Sequence, residues 1–134
     1  MLDTIVGIAT APGEGGIAIV RVSGEEAAKL LERVFVPYNA KRKPPFESHR
    51  LMAGRVMDGG EPIDEAMAVV MYAPNSYTRE DVCEIHTHGG NAAASAVVRL
   101  LIRQGARPAE AGEFTRRAFM NGRIDLMQAE AVMG

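Results

Sequence analysis

The 134-residue sequence predicts an α+β domain, a mixed sheet of about five strands packed with three or four helices. Element order is the first observation behind this: β-branched runs and helical patterns follow one another as β-β-α-β-β-β-α-α-α. A doubly wound fold requires a strict βαβ alternation instead. The second is the run from Ala66 to Tyr72, nearly all apolar, as in a central strand covered on both faces. Length and a 47% hydrophobic content together suit one compact domain with a real core.

Thr4 to Ala9 and Ile17 to Val22 read as two strands joined by the loop Pro12-Gly13-Glu14-Gly15-Gly16. Glu25 to Val34 follows as a helix, with Ala27, Ala28, Leu30, Leu31 and Val34 at helical spacing and acids in its first turn. The Lys41-Arg42-Lys43-Pro44-Pro45 stretch suits neither a strand nor a helix interior and is expected to be a solvated turn. Leu51 to Met57 is a strand, Asp58-Gly59-Gly60 the turn after it, and Asp81 to Thr87 the fifth strand, after the run at Ala66. Asn91 is placed to cap a helix reaching Arg103, with Gly105 as its stop. Phe114 to Met120 forms a short helix ended by Asn121-Gly122. Asp125 and Gln128 then stand at capping-box spacing before a helical pattern that no stop signal closes, so the sequence is expected to be a piece of a longer chain.

Composition excludes several classes. No apolar run approaches the roughly 20 residues of a membrane span, and the first residues lack a secretion-signal pattern, so a soluble, cytoplasmic protein is expected. A single cysteine, Cys83, leaves no internal disulfide framework. Net charge is −2, with 9 basic and 13 acidic groups in residues 1–94 against 6 and 4 in residues 95–134. That C-terminal bias is too small for a nucleic-acid-binding face.

Each chemically suggestive motif has a plain reading beside it. Gly13-Glu14-Gly15-Gly16-Ile17-Ala18 matches the G-x-G-x-x-A form of the dinucleotide fingerprint, but it leads into a strand where that motif needs a helix N-terminus. It is expected to be a connecting turn. No P-loop sequence occurs. On a strand, Glu84, His86 and His88 share a face and Cys83 is near, yet without a further distant Cys or His they read as a polar strand end and not a metal site. His88-Gly89-Gly90-Asn91 is a tight strand-to-helix turn, whose amides are either structural or open to an anion. Neither Cys83 nor Ser23, Ser76 or Ser95 has nucleophile surroundings, so no catalytic residue is assigned.

Arg21 is the odd residue of its strand, sharing a face with Ile17 and Ile19, and Glu84 is the matching oddity of the fifth strand. Either the two form a salt bridge, or they line a polar pocket. In a pocket, Glu84 suits a heterocycle that offers an amine and a ring N–H side by side, while Arg21 and Arg123 suit carboxylate or carbonyl groups of the same ligand.

An ordered set of short motifs resembles the N-terminal domain of the bacterial tRNA-modifying GTPases of the MnmE (TrmE) family. The set comprises Asp3-Thr4-Ile5-Val6, Pro12-Gly13 with Gly15-Gly16, Ile19-Val20-Arg21-Val22-Ser23-Gly24, Ala73-Pro74-Asn75-Ser76-Tyr77-Thr78 with Glu80-Asp81-Val82, His88-Gly89-Gly90, and residues 112–126 through Gln128-Ala129-Glu130-Ala131. The resemblance implies a fold similar to tetrahydrofolate-binding aminomethyltransferase domains, homodimerisation, and a one-carbon tetrahydrofolate, in formyl or methylene form, near the dimer interface. Carried over by residue, the folate-contacting positions fall on Arg21, Glu84 and Arg123, the last often lysine in the family. Glu14 and His86 depart from its pattern and are given no role. Residues 1–120 would then be the folate-binding, dimerising domain, and residues 121–134 the turn and start of a helix leading to further helical and GTPase domains. The parent would use GTP, magnesium and potassium outside this chain and, with MnmG, place an aminomethyl-type group on the wobble uridine of tRNA. Two alternatives are a purely structural dimerisation module and a folate-dependent aminomethyltransferase-like domain.

Overall fold

The computed structural model describes residues 3–9, 17–125, 127, 128 and 131. Seven strands form one sheet: β1 (Ile5–Ile8), β2 (Ala18–Ser23), β3 (Phe35–Pro37), β4 (Met52–Asp58), β5 (Glu61–Met71), β6 (Val82–Thr87) and β7 (Arg107–Pro108). Their spatial order is β3-β4-β5-β6-β2-β1-β7, and only the β1–β7 pair is parallel. Three helices accompany them: α1 (Ala27–Val34), α2 (Gly90–Arg103) and α3 (Glu113–Met120).

The fold class is the α+β mixed sheet expected, with seven strands where the sequence showed about five. Both additions are short: β3 has three residues and β7 two. Each contains a proline, Pro37 or Pro108, which suits an outer strand because proline has no N–H for a ladder. The strand anticipated at Ala66 begins at Glu61. Gly59-Gly60 makes the predicted hairpin turn, with Asp58 paired to Glu61.

Alternation along the inner strands separates two chemistries. Val20, Val22, Cys83, Ile85, Ala68 and Val70 point to one face, where they meet Ala27, Leu30, Leu31 and Val34 of α1 and Ala94, Val97, Leu100 and Leu101 of α2. This is the hydrophobic core. The intervening residues Ile19, Arg21, Glu84 and His86 point to the opposite face, over which α3 lies.

Helix starts differ from the sequence reading. Glu25 and Glu26 precede α1 and do not form its first turn, and α2 begins at Gly90, with Gly89 and not Asn91 as its N-cap. The capping box at Asp125 and Gln128 is formed: each residue's backbone N–H donates to the other's side chain at 2.8 Å. The glycine loop at residues 12–16, with Glu14, lies outside the described residues.

Candidate functional site

Strands β2 and β6 pair so that Arg21 stands directly opposite Glu84. The Arg21 Nε donates to Glu84 Oε2 at 3.1 Å, and Nη2 lies 3.0 Å from the same oxygen. Glu84 Oε1 is left to His86, whose Nε2 lies 3.1 Å away. The salt bridge anticipated as the plain reading is therefore present. Three N–H groups occupy about three of the four acceptor positions of a carboxylate, and the pair keeps 20% and 16% of its side-chain surface exposed. Glu84 can still receive a donor from outside.

Aromatic rings frame this pair. The Arg21 guanidinium lies 4.9 Å from the Tyr77 ring centroid and 5.6 Å from that of Phe114. Phe114 comes this close because Gly7 lies beneath it on β1; a Cβ there would stand 3.2 Å from the ring. The Tyr77 hydroxyl is 3.0 Å from Thr115 Oγ1 of α3, which fixes its ring plane. Arg123 completes the group, 5.1 Å from the same Tyr77 centroid. Of the three residues singled out in the sequence, Arg21 and Arg123 thus meet at Tyr77, and Glu84 joins them through its ion pair with Arg21.

A buried charge network holds the loop carrying Tyr77 to α3. Arg117, only 2% exposed, donates to Glu80 Oε1 at 3.1 Å and to Glu113 Oε2 at 3.3 Å. Ser23 donates to Glu80 at 2.7 Å and shares a 2.6 Å bond with Thr78. Glu113 takes a bidentate clamp from Arg107 at 3.1 and 2.6 Å, and Arg107 also reaches Asp3 at 3.0 Å. Against the opposing effect of burial, Arg107 first, then the Glu110 amide and Arg117, hold the Glu113 pKa at about 2. Glu113 in turn raises the Arg107 pKa above its ordinary value.

The metal reading gains no support: among the described residues no three His, Cys, Asp or Glu side chains gather as a site. Cys83 faces the core, away from Glu84 and His86, and burial raises its thiol well above the ordinary value, which makes it a poor ligand and nucleophile. The amide of His88 is taken, donating to Asp64 Oδ2 at 2.8 Å, which gives this residue of the turn a structural part.

Beside Tyr77 opens a cleft of about 480 Å³, lined by His49, Met71, Pro74, Asn75, Ser76, Tyr77, Arg79 and Arg123. Of these, only Arg123 was singled out from the sequence for a ligand. Tyr77, Phe114 and Arg79 were missed as site residues, and the sole hint was the turn-rich Pro74-Asn75-Ser76-Tyr77 segment.

Two helices on the core face of the sheet, and a third over an arginine–glutamate–aromatic cluster on the other, define the class: an α+β domain with a polar cluster on one sheet face. Residues 4–123 match the model of the family described as GTP-binding protein TrmE N-terminus, and the chain belongs to that family. It is 57% identical over 133 residues to the tRNA modification GTPase MnmE of Geobacter sulfurreducens and 54% identical over 131 residues to that of Listeria welshimeri. The matches cover 98% of this chain and 28% of each relative. The Moorella thermoacetica MnmE is 53% identical over 133 residues, again 98% of this chain and 29% of that one.

Proposed function

We propose that this chain is the tetrahydrofolate-binding and dimerising N-terminal part of a GTPase that modifies tRNA. The observation that carries the folate reading is the meeting of Arg21 and Arg123 at one tyrosine, with Glu84 paired to Arg21, on the face of the sheet away from the core. The donor set fits the group. Glu84 keeps an acceptor position for one donor of a heterocycle, its amine or its ring N–H, the Tyr77 and Phe114 rings lie beside its partner Arg21, and Arg21 and Arg123 suit carbonyl or carboxylate oxygens of the same ligand. When bound, the folate would supply a one-carbon unit; the chain's residues would bind and orient it.

Calorimetric titration with 5-formyltetrahydrofolate tests the reading. Saturable binding to the chain, weakened about 10-fold or more by Glu84→Ala, is the expected result, on the scale of a charge-assisted hydrogen bond. No heat of binding to either protein would leave the purely structural reading, which the Arg21–Glu84 ion pair also favours.

Dimerisation belongs to the same proposal. It is supported by apolar side chains standing in solvent, Val36, Tyr38 and Leu51 near β3 and Phe119 and Met120 at the end of α3. Light scattering after gel filtration should give twice the monomer mass, and a monomer at high concentration would remove this part. The GTP, magnesium and potassium chemistry, the MnmG partnership, the wobble-uridine substrate and a cytoplasmic location are proposed for the whole protein. No described helix is long and apolar enough to cross a membrane.

A further inference from the structure

We propose that the cleft beside Tyr77 is an oxyanion subsite in which Arg79 and Arg123 receive the acidic tail of the ligand whose ring lies at Arg21 and Glu84. The inference rests on the folate reading and extends it from the ring to the tail.

Charge is the first support. Among the described residues, neither Arg79 nor Arg123 has a carboxylate within salt-bridge distance, whereas Arg21, Arg107 and Arg117 all do. Both residues line the same cleft. They are neighbours: Arg79 Nη1 donates to the carbonyl of Asn121 at 3.2 Å and lies 3.5 Å from where a Cβ on Gly122 would stand, just before Arg123.

Backbone conformation is the second. His49 and Arg79, with φ of 64° and 65°, are the non-glycine residues in the left-handed region among those described, and both line this cleft. A long arginine at such a position is strained, and glycine would fill it more easily. At this position the arginine reaches the Asn121 carbonyl and lines the cleft, neither of which a glycine would do with a side chain. Asn75 and Ser76 add hydrogen-bonding groups to the wall.

Position is the third. Val69 of β5 pairs with Glu84, and Met71, two residues along, lines the cleft. Two residues of strand span about 7 Å, so a ring held at Glu84 and a chain passing Tyr77 would bring carboxylates to the two arginines.

The test compares 5-formyltetrahydrofolate as its monoglutamate and its triglutamate, titrated calorimetrically into the chain and into its Arg79→Gly and Arg123→Gln variants. Arg79→Gly suits the left-handed backbone, so its fold is retained, as circular dichroism would verify. The expected result is triglutamate binding about 5-fold or more tighter than monoglutamate at low salt, a preference that shrinks as salt rises and falls to within about twofold in either variant. Monoglutamate binding persists in Arg79→Gly. Equal affinity of the two forms for the unsubstituted chain overturns the tail subsite while leaving the ring reading standing. Absence of binding by both forms overturns the two together. Equal affinities accompanied by an Arg79-dependent affinity for inorganic phosphate would assign the cleft to a phosphate of another molecule, also against the proposal.

Discussion

On one face of the sheet Val20, Val22, Cys83 and Ile85 pack on α1 and α2 with no charged group in the cluster, while on the other Arg21, Glu84 and His86 of the same strands form a linked polar row, with Arg21 beside rings from α3 and a loop. Alternation along β2 and β6 keeps the two sets apart by a single residue step. Stability and chemistry are therefore separable in this domain. A change on the core face acts on folding, and one at Arg21 or Glu84 acts mainly on what the partly exposed face can hold.

The largest effect expected from a single substitution tests a third element, the charge network under α3. Arg117→Ala strands Glu80 and Glu113 without their shared partner and should destabilise the fold by about 3 kcal/mol or more, measured by urea unfolding. Leu101→Ala, a cavity in the core face, should lower stability by about 3 kcal/mol with ligand affinity unchanged in the folded fraction. An affinity loss with Leu101→Ala would break the separation of the faces.

Acid should reveal Glu113. Its pKa lies at about 2 in the folded chain against an ordinary 4.5, so its contribution is fully present above about pH 4.5 and is lost as pH falls toward 2. Glu113→Gln should flatten the decline of thermal midpoint with pH across that window. The smallest effect belongs to the exposed Arg103–Asp58 pair, 2.9 Å apart, where Arg103→Ala should change stability by less than about 0.5 kcal/mol.

The elements legible in the sequence were those whose side chains repeat. The helical spacing at Leu30, Leu31 and Val34, and the strand runs holding Arg21 and Glu84, led to the right elements and to an ion pair that was foreseen as one of two readings. Strands β3 and β7 are too short to show a period, and β5 began unseen because Glu61, Pro62, Asp64 and Glu65 resemble a loop where the hairpin runs past the core. Tyr77, Phe114 and Arg79 come to the site only when the loop after β5 docks on α3, a meeting of residues 38 apart at Tyr77 and Thr115 that local pattern does not contain. The two readings of the His88-Gly89-Gly90 turn stay open in the sequence because the partner of the His88 amide, Asp64, lies 24 residues away.

The parallel pairing of β1 with β7 has a consequence for synthesis on the ribosome. Ile5 and Val6 sit beside Arg107 and Pro108, so β1 keeps an open edge after its synthesis until about a hundred further residues have emerged. Until then Asp3 has no Arg107 to bind, and a nascent chain halted before residue 107 would present β1 to whatever other strand it meets.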